Sequence, residues 1–219
     1  MRITALERQP RRRRVNLHLD GSQSLVLSVE ICVQFGLRVG DQLSTDRLAE
    51  ISDAEARHTA LKSALRLLAY RPRSEAELRA RLARKGVSDA TLETTVARMR
   101  ELNLVNDSEF ARLFVESRDR TSPRSRRNIA AELRSKGVDR GIVSQSVSTL
   151  VDEDAAWRAA ARRAPSLASL PYQGYRRRLA DFLLRRGFDH ETVRLTVARA
   201  CVEAGHREPL VDDDGPFDG

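Results

Sequence analysis

The stretch Ser74-Glu-Ala-Glu-Leu78-Arg-Ala-Arg-Leu82-Ala-Arg-Lys85-Gly86-Val87 occurs, in altered form, two more times in this chain. It returns as Ser125-Arg-Arg-Asn-Ile129-Ala-Ala-Glu-Leu133-Arg-Ser-Lys136-Gly137-Val138. It returns again as Tyr175-Arg-Arg-Arg-Leu179-Ala-Asp-Phe-Leu183-Leu-Arg-Arg186-Gly187-Phe188. The glycines lie 51 and 50 residues apart. Leu78, Ile129 and Leu179 share one offset from the glycine, and Leu82, Leu133 and Leu183 another. A spacing of four places each pair on one helix face.

Each glycine stands where a helix ends in a residue with positive φ. The cation before it (Lys85, Lys136, Arg186) suits the negative end of the helix dipole. One apolar residue and then a capping type follow: Ser88, Asp139, Asp189. A further helix is expected after each cap, over Ser88–Arg100, Asp139–Val151 and Asp189–Cys201. Its apolar stripe is Leu92, Val96 and Met99; Val143, Val147 and Leu150; Val193, Val197 and Ala200. A helix also precedes each segment: Leu61, Leu65 and Leu68 mark the first, and Asp107 before Phe110 and Asp154 before Trp157 mark the others. The unit is therefore three helices of about 50 residues, present three times. One such unit is small for an independent core, so neighbouring units are expected to share theirs.

Before the repeats, Arg11 to Arg14 close a segment that reads as a basic disordered arm, 1–14. Val15, Leu17 and Leu19, then Asp20-Gly21, then Leu25, Leu27 and Val29 read as a β-hairpin. Short helices are expected near Ile31–Gly36 and Thr45–Ile51, completing an extension over 15–57. The repeats then occupy 58–106, 107–151 and 152–204. A tail at 205–219, with Asp212-Asp213-Asp214, reads as acidic and disordered. The fold class is mainly α: tandem three-helix repeats in an elongated, curved arrangement, with a small N-terminal extension containing a β-hairpin.

The 219 residues carry a net charge of +8, with 39 basic side chains of which only Lys62, Lys85 and Lys136 are lysine. Such a surface attracts polyanions, nucleic acid above all. Hydrophobic residues make up 41% but aromatic ones only 5%, so the core must rest on Leu, Val and Ala. Cys32 and Cys201 are too few and too far apart for a disulfide framework, and Cys201 reads as a small core residue. No apolar run approaches the ~18 residues of a membrane helix, and no secretory leader is visible. A cytoplasmic, monomeric protein is expected.

No GxxxxGK[ST] loop or GxGxxG is present. His18, His58, His190 and His206 have no metal-ligand spacing with one another or with cysteine. Ser74-x-x-Glu77 is a capping box rather than a site. The chain is therefore read as no enzyme, with no cofactor and no metal. Basic residues instead gather on the middle helix of each unit. Arg127 and Arg134, then Arg177, Arg178 and Arg185, fall opposite the apolar stripe and are the candidate partner-binding residues. Arg79 and Arg84 also lie off the apolar face in the first unit. Residues 118–140 hold eight cations and three anions.

The middle and last helices of a unit resemble a helix-turn-helix in outline. A recognition helix needs polar or basic side chains near its start to reach base edges. The first offers Asp89 and Glu93, the second Arg140 followed by Gly141, Ile142 and Val143. Scarce aromatics argue against a stacking platform for single strands.

Several of these stretches resemble the RecX regulatory family. Tyr70-Arg-Pro-Arg-Ser74-Glu-Ala-Glu-Leu78 through Lys85-Gly86-Val87 is similar to its opening repeat. Leu104-Val-Asn-Asp107-Ser-Glu-Phe110-Ala111, with Arg118 and Ile129 through Gly137, resembles the second, and Leu179 through Phe188 the third. The likeness covers about 58–201. One departure is Ser125-Arg126 where the family often has Gly-Pro. The resemblance implies a protein that binds the RecA recombinase, especially its filament on single-stranded DNA, and restrains its ATPase and strand-exchange activities in DNA repair and recombination. Direct contact with the DNA stays open. Two alternatives stand beside it: a DNA-binding or transcription-regulating protein with helix-turn-helix-like units, and a helical scaffold without a nucleic-acid partner.

Overall fold

The computed structural model describes residues 1–10, 13–20 and 23–205. It has three strands, β1 (Ile3–Arg8), β2 (Arg14–Leu19) and β3 (Gln23–Ser28), then α1 (Val29–Gln34) and α2 (Thr45–Tyr70). The first repeat continues with α3 (Glu75–Ala83) and α4 (Asp89–Glu101). The second comprises α5 (Asp107–Thr121), α6 (Arg126–Ser135) and α7 (Arg140–Val147). The third comprises α8 (Asp152–Arg163), a 3-10 turn at Ala164–Leu167, α9 (Tyr172–Arg185) and α10 (His190–Glu203). The chain is mainly helical, and it divides into two units, 1–106 and 107–219.

The glycines stop helices as their spacing requires. Gly86, Gly137 and Gly187 have φ of +79°, +77° and +87°. After the first two, the N–H groups of Val87 and Val138 reach back to the carbonyls of Leu82 and Leu133, satisfying acceptors the helix leaves open. Ser74 and Ser125 then cap α3 and α6, their hydroxyls accepting from the N–H of Glu77 and Asn128. Ser125 thus gives α6 a side-chain cap. Asp139 and Asp189 cap α7 and α10. Ser88 does not cap the backbone of α4; its hydroxyl donates to that of Thr91.

The arm expected at 1–14 is instead structured over Ile3–Arg8. The hairpin β2–β3 forms as read, with Leu17 opposite Leu25, and β1 adds antiparallel to β2 as a third strand. Ile3 is 1% exposed. On its other side β1 bonds to the loop before α2, with Ile3 N–H donating to the Asp41 carbonyl at 2.9 Å. Ile3-Thr-Ala-Leu-Glu-Arg8 lacks a clean apolar-polar alternation, and a bulge at Ile3/Ala5 breaks its register, so its own pattern does not mark a strand. Arg11, Arg12, Gly21, Ser22 and the tail from 206 onward lie outside the described residues.

The boundary expected between 57 and 58 falls inside α2, which runs unbroken for 26 residues. No glycine or proline interrupts Ser52-Asp-Ala-Glu-Ala-Arg57, so one helix serves two cores. Ile51 and Ala54 pack under the sheet, and Ala64 packs in the first repeat. Glu55 ties this helix to the sheet. Its carboxylate accepts from Ser28 N–H at 2.6 Å, Ser28 Oγ at 2.9 Å, Thr59 Oγ1 at 2.8 Å and Arg14 at 2.8 Å.

The shared core expected of neighbouring units is not found between the second and third repeats, whose described residues form two separate apolar clusters. Each builds its own cluster around its equivalent pair: Leu78 and Leu82, Ile129 and Leu133, Leu179 and Leu183, all at most 1% exposed. In the third, Ala155, Ala156, Ala159 and Ala160 let α8 approach closely, and Tyr175 and Phe188 fill the space. Cys201 lies in this core, as read from its stripe. Repeats two and three are joined by a polar seam instead. Ser125 N–H donates to the Arg186 carbonyl, Arg126 N–H to Asp152, and Arg158 pairs with Asp119.

Candidate functional site

In the second repeat α6 lies against α7, and the two leave a groove between them. Val143 and Val147, both buried in the repeat core, form its floor with Ala130. Arg126, Arg127, Arg134 and Arg140 line its walls, and Asp152 stands among the lining residues. Arg126, Ala130 and Arg134 recur every four residues, one position out of step with the buried Ile129 and Leu133. They therefore flank the core face and project beside α7. The lone carboxylate faces four guanidinium groups, so the groove is strongly cationic.

The third repeat has the equivalent groove between α9 and α10, 50 positions on. Arg176, Ala180, Leu184, His190, Val193, Arg194 and Val197 stand where the second has Arg126, Ala130, Arg134, Arg140, Val143, Ser144 and Val147. The first repeat differs at these places. Its counterparts of Arg126, Ala130 and Ser144 are Glu75, Arg79 and Glu93. Arg79 pairs with both Glu93 and Glu75, and Arg100 pairs with Glu75. Hydrogen bonds from Arg100 above all, and from Arg79, hold the Glu75 carboxyl below the usual glutamate range. Bonds to Glu93 and then Glu75 push the Arg79 guanidinium further up. The cations of this face of the first repeat are internally neutralised.

Of the five candidates, Arg127 and Arg134 lie together in the α6/α7 groove. Arg177 and Arg178 line a shallow depression at the start of α9 with Arg176, Gln173 and Leu170. Arg185 lines neither depression. All five are exposed, and among the described residues none makes an ion pair. The same holds for Arg126, Arg140 and Arg176, which sequence reasoning passed over. It sought positions diametrically opposite the core, whereas a groove between two helices is walled by positions just beside it. Much of the remaining charge of 118–140 is used within the fold: Arg118 and Arg124 both pair with Glu132.

Unpaired guanidinium groups can grip carboxylates or phosphates through two parallel hydrogen bonds. Among the described residues no group of three or more His, Cys, Asp or Glu could hold a metal ion, and no helix is long and apolar enough to cross a membrane.

Comparison with known proteins matches this order of units. The first, second and third three-helix domains of RecX match residues 60–99, 106–147 and 151–196. "Regulatory protein RecX" of Amycolatopsis mediterranei is 36% identical over 75% of this chain and 96% of its own length. That of Chlorobaculum tepidum is 34% identical over 73% of this chain and 99% of its own. A crystal structure of regulatory protein RecX superposes with a TM-score of 0.61 at 21% identity, covering 89% of this chain and 98% of that one. RecX from Lactobacillus salivarius gives 0.57 at 19% identity, covering 68% and 99%, a likeness of fold. Three successive three-helix domains, matched in order, place this chain in the RecX family of regulatory proteins.

Proposed function

We propose that this chain is a non-enzymatic regulator that binds the RecA recombinase and its filament on single-stranded DNA and lowers its ATPase and strand-exchange activities. The observation that carries the reading is the α6/α7 groove of a family member, where four guanidinium groups stand without an ion-pair partner among the described residues. Such a groove suits the phosphates or acidic protein surface of a nucleoprotein polymer. Arg127 and Arg134 act within the groove, and Arg177, Arg178 and Arg185 extend the basic face along α9.

The test compares binding to recombinase alone, to single-stranded DNA alone and to the assembled filament, over a range of salt. The wild-type chain should prefer the filament and reduce its DNA-dependent ATP hydrolysis. Arg127→Glu with Arg134→Glu should weaken filament binding strongly. Each lost phosphate contact should also flatten the salt dependence by about one unit of log–log slope. Unchanged affinity in a folded double variant would remove the groove from the interface. Equal binding to bare DNA and filament would favour a plain DNA-binding protein. Intrinsic ATP hydrolysis that tracks the polypeptide would overturn the non-enzymatic reading.

A further inference from the structure

The first unit has a cleft of its own, lined by α1, α2 and α4 and about 310 Å³ in volume. Ala54, His58 and Leu61 recur at helical spacing and give α2 one face toward it, with Arg57 beside them. On α4 the same spacing brings Thr94, Thr95 and Arg98 to the cleft, while Glu93 and Arg100 of the ion cluster with α3 do not line it. Gln34 lines it from α1.

The lining is one-sided in charge. Arg57 and Arg98 bring two guanidinium groups, and no aspartate or glutamate lines the cleft. Arg57 makes no ion pair among the described residues. Arg98 holds Glu101 at 2.8 Å, but both side chains are more than half exposed, and such surface pairs are weak enough for another anion to displace. Glu30 is close enough to His58 to feel its charge, yet it pairs with Arg13 at 3.2 Å and stays out of the lining. The hydroxyls of Thr94 and Thr95 donate to backbone carbonyls of α4 and add no donor.

One atom sets this cleft apart. The Nε2 nitrogen of His58 is buried and makes no hydrogen bond among the described residues. Polar atoms removed from water nearly always have a partner. Neither the α6/α7 nor the α9/α10 groove has such a nitrogen in its lining. With its proton on Nε2, the imidazole is a third donor beside the two guanidinium groups. The number of donors selects the anion. One guanidinium fork already satisfies both oxygens of a carboxylate, and a phosphodiester likewise has only two free oxygens. A phosphate monoester presents three acceptor oxygens, enough for both arginines and the imidazole.

We propose that this cleft binds a phosphate monoester, with Arg57 and Arg98 holding its oxygens from two helices and His58 Nε2 donating to it. The site is separate from the α6/α7 groove and does not rest on the recombinase reading. Two sources carry this chemistry: the 5′ end of a DNA strand and a small free phosphate.

The test uses the full-length chain and three probes: inorganic phosphate, and oligo(dT) with and without a 5′-phosphate. In isotope-labelled protein, phosphate should shift the amide signals of His58, Thr94 and Thr95 beyond the effect of chloride at equal ionic strength. Arg57→Gln with Arg98→Gln should abolish those shifts; both side chains are exposed, so the fold should stand, as a melting curve would check. His58→Leu should weaken phosphate binding about tenfold, through loss of one hydrogen bond to a charged group. A 5′-phosphate should tighten oligo(dT) binding about tenfold at low salt. That gain should vanish in the Arg57/Arg98 variant and persist in Arg127→Glu with Arg134→Glu, so failure of this cleft is distinguishable from failure of the other groove. A phosphate response without preference for the 5′-phosphate would support the site with a free phosphate as its ligand. Shifts no larger than those of chloride, or shifts that survive the Arg57/Arg98 variant, would overturn it. Unchanged phosphate binding in a folded His58→Leu variant would overturn the role of Nε2.

Discussion

The guanidinium of Arg186 donates a 2.7 Å hydrogen bond to the carbonyl oxygen of Pro123, across the boundary between the second and third repeats. A second bond, 3.1 Å, goes to the Ser122 hydroxyl, and the Arg186 carbonyl accepts from Ser125 N–H at 3.1 Å. The Phe182 ring lies against the guanidinium at 4.4 Å. Arg186 has no ion-pair partner among the described residues. Burial first, and then the neighbouring Arg124 and Arg162, lower its pKa. This cation is spent on holding two repeats together.

Replacing Arg186 should therefore cost stability rather than surface charge alone. Arg186→Met keeps much of the packing on Phe182 and removes the bonds to Pro123 and Ser122. Hydrogen bonds made by charged groups contribute about 1.5–3 kcal/mol, so a loss of that order is expected. Denaturant unfolding followed through Trp157, the one tryptophan of the chain, would measure it. A loss under about 0.5 kcal/mol, typical of plain surface positions, would show that the seam contributes little.

The neighbouring glycine separates two kinds of strain. A Cβ on Gly187 would lie 2.5 Å from Nδ2 and Oδ1 of Asn128, whereas one on Gly86 would meet nothing within 4 Å. Both have positive φ, so Gly86→Ala should cost about 1 kcal/mol from the backbone alone. Gly187→Ala should cost distinctly more, and adding Asn128→Ala should recover part of the difference. Equal losses at the two glycines would mean that Asn128 moves aside freely.

Glu55 makes the N-terminal sheet depend on one carboxylate of α2. Glu55→Ala leaves the buried N–H and hydroxyl of Ser28 without this acceptor, each loss worth about 1–3 kcal/mol. Hydrogen exchange should quicken in β3 and at the start of α1 while the third repeat keeps its protection. Uniform loss of protection through both units would show that the chain unfolds as one cooperative block.

The ion cluster of the first repeat should give that repeat an acid-labile component. Glu75 is held below its ordinary value of about 4.5, so its contribution is fully present above that pH and disappears as pH falls through the lowered pKa. Thermal melts from neutral pH downward should show wild type losing its advantage over Glu75→Gln in that acid range. Parallel curves at all pH values would mean that Glu75 gains nothing from Arg100 and Arg79.

Some of this was legible residue by residue. Leu78 and Leu82 with their equivalents, the stop glycines and the caps Ser125, Asp139 and Asp189 act through the local backbone, and the helices follow from them. The hairpin β2–β3 was legible for the same reason. Strand β1 was not, because an edge strand with a bulge gains its order from bonds to β2 and the Asp41 loop rather than from its own pattern. The exposure of Arg127, Arg134, Arg177, Arg178 and Arg185 followed from helix periodicity, but which arginines share a groove did not.

The sequence by itself determined where helices begin and end, that the unit repeats three times, and that the surface is basic, because these depend on neighbours within about five positions or on composition. Tertiary structure alone decided which charges are spent. Arg186 looked like Lys85 and Lys136, a cation at a helix end, until packing set it against Pro123. Arg79 looked as free as Arg127 until α4 brought Glu93 to it. Ion pairs and grooves join residues on different helices, and their strength depends on distances that no single helix fixes.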